Sequence, residues 1–129
     1  GPDCMKNQIF ESDVQVTFED QQKINRFARH NARLQDIKEE LVAKKKEVQN
    51  LEDAADELVL NTYQIGEVFI SSSIDDATIM IEKDKEQTLQ DIKDLEENAG
   101  THKQILSDLK VHLYAKFGAN INLEAEEES

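Results

Sequence analysis

From Thr17 to Leu60 the chain contains no glycine or proline, and apolar or small side chains return at Ile24, Phe27, Leu34, Ile37, Leu41, Val48, Leu51, Ala55 and Leu58. Spacings of three and four place these residues on one stripe of an α-helix. Asn31 and Lys44 fill two slots of that stripe, and the step Asn31 to Leu34 to Ile37 is a stammer, which overwinds a heptad seam locally. A second stretch, opening near Ser73, keeps strict 4-3 alternation through Ile74, Thr78, Ile81, Lys85, Thr88, Ile92, Leu95, Ala99, His102, Leu106, Leu109 and Leu113. A heptad held that long predicts a coiled coil rather than a globular helix. Thr17 is placed to cap the first helix, and Gly118 to end the second as a C′ glycine. Gly100 costs about 1 kcal/mol relative to alanine inside a helix, and the second helix is expected to continue through it.

Each helix has roughly 44 residues, so each is roughly 65 Å long. Equal lengths invite a hairpin in which Leu51 faces Ile81, Leu41 faces Ile92, Ile37 faces Leu95 and Ile24 faces Leu109. In that alignment the polar exceptions match too, Asn31 with His102 and Lys44 with Thr88. Asn31 and His102 are therefore the candidate register layer, because a polar pair satisfied in one alignment penalises slipped ones. Between the helices lies Tyr-Gln-Ile-Gly-Glu-Val-Phe-Ile-Ser, residues 63–71, rich in β-branched and aromatic side chains and broken by Gly66. It reads as a short β-hairpin, and two strands alone are marginal in water, so partner strands from other chains are implied. The expected fold class is mainly α, a long antiparallel two-helix coiled coil joined by that hairpin. Its organisation is a flexible lead over 1–16, helix 17–60, oligomerisation hairpin 61–72, helix 73–117 and a flexible acidic tail over 118–129.

Composition narrows the function. Twenty-eight acidic against fifteen basic side chains give a formal charge of −13, which disfavours nucleic acid and anionic membranes as partners and leaves cationic proteins plausible. Cys4 is the single cysteine, so neither an intrachain disulfide nor a cysteine metal cluster can form. No apolar run approaches the length of a membrane span, and a soluble protein of the cytosol or nucleus is expected. Phosphate-binding loops, nucleophile elbows and His-Glu-x-x-His motifs are all missing, so no enzyme and no cofactor are expected. His30, His102 and His112 share no helical face and read as structural rather than metal-binding. Glu39-Glu40 and Asp75-Asp76 read as solvated carboxylates, and Lys44 to Lys46 as a helix surface balancing nearby glutamates.

The hairpin brings the start of the first helix beside the end of the second. Phe18, Ile24, Phe27, Leu109, Leu113, Tyr114 and Phe117 converge there. Ile24 and Leu109 close the coiled coil, whereas Phe18, Tyr114 and Phe117 stand off the strict seam and have less reason to be buried. An apolar patch at such a tip suits a binder of exposed hydrophobic segments.

Four stretches carry a resemblance: VTFEDQQKINRFAR at 16–29, LEDAADEL at 51–58, YQIGEVFIS at 63–71 and DLKVHLYAKFGANINLE at 108–124. The chain resembles the β-class subunits of prefoldin. The resemblance implies a heterohexamer of two α-class and four β-class chains, so that the partners are two α-class and three further β-class subunits. It also implies an ATP-independent holder of unfolded actin, tubulin and similar clients for the cytosolic group II chaperonin. Carried over by position, Tyr63, Ile65, Val68, Phe69 and Ile70 would contact a β-barrel platform. Phe18, Phe27, Leu113, Tyr114 and Phe117 would lie at the client-holding tip. One departure is that only Asn61 and Thr62 join Leu60 to Tyr63, where relatives usually carry a longer acidic and aliphatic stretch; either the first strand is truncated or the sequence lacks residues at this point. A structural coiled-coil subunit of a scaffolding or tethering complex is the alternative reading.

Overall fold

The computed structural model describes residues 15–65 and 71–123, with the side chains of residues 64, 65, 71 and 72 left aside. Two long helices dominate, α1 over Phe18–Ile65 and α2 over Ser71–Phe117, followed by a 3-10 turn at Gly118–Asn120. Among the described residues there is no β-strand in either helix-flanking segment, and α2 passes unbroken through Gly100. The chain forms two compact units: residues 1–37 with 98–129, and residues 38–97.

In the first unit α1 and α2 run antiparallel, since Asp20 pairs with Lys116 while His30 meets His102 further along α1 and further back along α2. Ile24, Leu34, Ile37 and Leu113 are fully buried, joined by Phe27, Ala99, Leu106, Leu109 and Phe117. The stammer at Leu34 and Ile37 thus does not cost the seam its packing, since both side chains are fully buried. At the start of α1 a capping box forms: the Asp20 amide donates to Thr17 Oγ1 at 3.1 Å, and the Thr17 amide donates to Asp20 Oδ2 at 3.0 Å. At the other end, Gly118 has φ +58°, the left-handed conformation that suits glycine and stops α2.

Residues 118–123 do not begin a flexible tail. After the 3-10 turn Ile121 is extended, and Ile121 and Leu123 are both buried. The Leu123 amide donates to Tyr114 Oη at 3.2 Å. Alternate residues of an extended segment share a face, and that spacing puts both aliphatic side chains into the core of this unit. Residues 124–129 lie outside the described residues, as do 1–14.

In the second unit the helices are again antiparallel, shown by Lys44 to Asp91 at 3.4 Å and Lys85 to Glu52 at 3.1 Å. Lys44, expected opposite Thr88, reaches instead to Asp91, and the Thr88 hydroxyl bonds back to the Asp84 carbonyl at 2.8 Å. Ile92 is the buried apolar side chain here, while Leu41, Val48, Leu51, Leu58, Ile74, Ile81 and Leu95 are half-buried.

The β-hairpin expected over 61–72 is corrected in part. Residues 61–65 are the last turn of α1 and Ser71 opens α2, so the first expected strand is helical. Thr62 Oγ1 donates to the Leu58 carbonyl at 2.7 Å, an i to i−4 bond made within the helix. Among the described residues no strand lies beside this segment, and a helix satisfies its backbone groups locally. Gly66, Glu67, Val68, Phe69 and Ile70 lie outside the described residues.

Candidate functional site

Five residues were expected at the tip of the first unit, and the structure sorts them into two sets. Phe27, Leu113 and Phe117 are core, while Phe18 is 76% exposed and Tyr114 is 40% exposed. Phe117 corrects the expectation that standing off the strict seam would leave it exposed: only 3% of it is accessible. It follows Leu113 by four residues and so shares its face, while Lys116, in the strict heptad slot, reaches across to Asp20. The Lys116 ammonium also lies 5.4 Å from the Phe117 ring centroid. Val111, 65% exposed beside Tyr114 on α2, was missed, although as an off-seam aliphatic it was visible in the heptad register. Among the described residues, the large exposed apolar side chains of this unit are therefore Phe18, Val111 and Tyr114, set on a packed core.

Electrostatics hold that core shut. Burial alone would raise the Asp20 carboxyl, but its bond to Lys116 and its two bonds with Thr17 outweigh burial and hold it below the ordinary carboxylate value. The Asp20 carboxylate thus ties the first turn of α1 to the last turn of α2.

The register layer also differs from expectation. His102 does not pair with Asn31; its Nδ1 is 2.9 Å from Nδ1 of His30, with ring centroids 5.1 Å apart. Asn31 Oδ1 is buried without a hydrogen-bond partner, as is Gln35 Nε2. A histidine ring is long enough to reach across from the position flanking the seam, so His30 displaces its neighbour. Burial first, and then His102, Arg26 and Arg29, hold the His30 imidazole below the ordinary histidine value. The two rings meet nearly end to end, which suits a single shared proton rather than two nitrogens converging on a metal ion. No cluster of three or more metal-ligating side chains occurs among the described residues.

The second unit carries a different surface. Val59, Leu60 and Tyr63 of α1, and Ile79 and Met80 of α2, are all exposed, Tyr63 to 86%. Val59, Thr62, Tyr63, Ile74 and Thr78 line a shallow depression there. Of the expected oligomerisation residues, Tyr63 is on this surface, Ile65 ends α1, and Val68, Phe69 and Ile70 lie outside the described residues. Among the described residues no helix is long and apolar enough to cross a membrane.

The family described as Prefoldin subunit matches residues 21–120. The chain belongs to the prefoldin subunit family. "Prefoldin subunit 4" of Homo sapiens is 52% identical over 122 residues, covering 89% of this chain and 91% of that protein. "Prefoldin subunit 4" of Bos taurus is 51% identical over the same shares, and "Probable prefoldin subunit 4" of Drosophila melanogaster is 43% identical over 94% of each chain. No solved structure is significantly similar to the chain. The prefoldin match takes in all of the two helices but the first three residues of α1 and ends with the 3-10 turn, so it covers the whole of the second unit and the first unit's core except Ile121 and Leu123.

Proposed function

We propose that the chain is one subunit of a heterohexameric, ATP-independent prefoldin, assembled with two α-class and three further β-class subunits, in the cytosol or nucleus. It holds unfolded proteins such as actin and tubulin and passes them to the cytosolic group II chaperonin. The observation that carries the reading is the pairing of a family match over residues 21–120 with exposed Phe18 and Tyr114 on the closed first unit. Exposed aromatics on a packed base offer large apolar area at little conformational cost, and weak contacts of this kind gain avidity when several subunits act together. In this reading the polar contact between His30 and His102 sets the register of that base, with Asn31 next to His30 on α1.

The second unit supplies the assembly surface. In this reading Tyr63, Ile65, Val68, Phe69 and Ile70 join partner strands as a β-hairpin, and the last turn of α1 unwinds as those strands become available. Support comes from the exposed Val59, Leu60 and Tyr63 and from the β-branched and aromatic make-up of residues 63–71.

The test is a complex reconstituted with partner subunits and challenged by dilution of denatured actin, read by light scattering. Wild type is expected to suppress aggregation, and Phe18→Ser with Val111→Ser to assemble fully yet suppress it several-fold less well. A complex that forms but leaves scattering unchanged would favour the scaffolding role instead.

A further inference from the structure

The net charge of −13 is unevenly spread: residues 1–37 and 98–129 together carry eight cations against eleven acids, net −3. Residues 38–97 carry seven cations against seventeen acids, net −10, whereas the described part of the first unit, residues 15–37 and 98–123, carries seven cations against four acids, net +3. Within α1, residues 21–35 include Lys23, Arg26, Arg29 and Arg33 and no acid at all. Glu19 is the one exposed acid in the first turn, since Asp20 is buried and bonded to Lys116.

The cations are ordered on the helix. At 3.6 residues per turn, Phe18, Gln22, Arg26 and Arg29 fall within about a quarter turn of one another, on the side away from Ile24 and Phe27. All four are exposed. Lys23, Arg26 and Arg29 make no ion pair with a described residue, while Arg33 continues the face and has a contact of its own. From Phe18 to Arg29 the rise is about 16 Å, the span of about five residues of extended chain.

We propose that this face of α1 selects, among unfolded segments, those that place carboxylates about five residues from an apolar side chain. The apolar group lies on Phe18 and the carboxylates on the Arg26 and Arg29 guanidiniums. Guanidinium forks match carboxylates in a bidentate way. Single exposed pairs contribute little, so selection needs two or more carboxylates on one segment and weakens with salt. The whole-chain charge would suggest cationic partners, but the helix face that carries Phe18 has Arg26 and Arg29 on it and no acid between residues 21 and 35. Phosphate-backbone ligands fit less well, because the net −13 repels an extended polyanion over a longer range than it does a short segment.

The proposal rests on the client-holding reading of this end, and the experiment separates the two. Fluorescent unstructured polypeptides of equal apolar content are made with Glu/Asp, with Gln/Asn or with Lys at the polar positions. Anisotropy is measured against the full chain and Arg26→Gln/Arg29→Gln, with circular dichroism confirming equal helicity. The acidic reporter is expected to bind best, the double variant to weaken it about fivefold at low salt, and the neutral reporter to be unaffected. Arg26→Lys/Arg29→Lys should restore part of the loss. Equal weakening of all three reporters, or none, overturns the charge selection while leaving client holding intact. Failure of every reporter to bind wild type overturns both. Binding of an oligothymidylate that depends on the two arginines, with indifference to the acidic reporter, would assign the face to nucleic acid and overturn the proposal.

Discussion

The two units are built from the same two helices and the same heptad idea, yet they bury their seams very differently. Of the twelve buried apolar side chains among the described residues, eleven belong to the first unit and only Ile92 to the second. The first unit gains Phe117, Ile121 and Leu123 beyond the end of the heptads, a cap that thickens a two-helix seam into a small core. A bare two-helix seam shields each side chain from one side only, so Leu51 and Leu58 remain half-exposed. Among the described residues, the first unit buries most of its large apolar side chains, and the second leaves Val59, Leu60, Tyr63, Ile79 and Met80 uncovered.

Truncation of the seam should break this comparison most sharply. Ile37→Ala, at a fully buried position, should cost about 2–4 kcal/mol in urea unfolding of the isolated chain, while Leu51→Ala should cost less than about 1.5 kcal/mol. Equal losses would mean that the two units are equally packed. Next in size is Asp20→Ala, which removes a capping box and the link to Lys116 together. A loss of about 1–2 kcal/mol is expected, with Glu19→Ala as a near-neutral control.

Acidification sharpens the contrast by sign. His30 is held below the ordinary histidine value, so the folded chain binds fewer protons than the unfolded chain as pH falls through that ordinary value. The stability that neutral His30 contributes is present above that value and is lost as pH falls through the folded one. The first unit should therefore weaken under mild acid, with His30→Gln flattening the dependence in thermal melts from neutral pH downward. Asp20, also depressed, adds a separate loss only below the ordinary carboxylate range. The smallest expected effect is a gain. A Cβ at Gly100 meets nothing within 4 Å, and Gly100→Ala should stabilise the chain by about 1 kcal/mol in the same urea assay.

The heptads were legible because period is a local property: Ile24, Leu34, Leu106 and Leu113 declare their face by spacing alone. What lay beyond the period was harder to read. Phe117 follows the helical rather than the heptad repeat, and Ile121 and Leu123 switch to the two-residue repeat of extended chain. The heptad named Asn31 as the partner of His102, but reach decided for His30. Val111 and Tyr114 carried a visible signal as off-seam apolar residues, whereas the acid-free stretch of α1 over residues 21–35 was hidden by counting charge over the whole chain. The connector shows a different limit. Residues 63–65 have strand-like composition, but strand formation depends on pairing partners that composition does not reveal, and Thr62 satisfies itself within the helix.

Amide hydrogen exchange, measured on the isolated chain and again after mixing with partner prefoldin subunits, tests the division of labour between the units most directly. Alone, residues 20–37 and 102–117 should exchange slowly and residues 55–80 quickly; on assembly, protection should rise in 55–80 and stay unchanged at the other end. Protection that rises instead in 20–37 and 102–117, with 55–80 still exchanging freely, would place the assembly surface on the wrong unit and contradict the account.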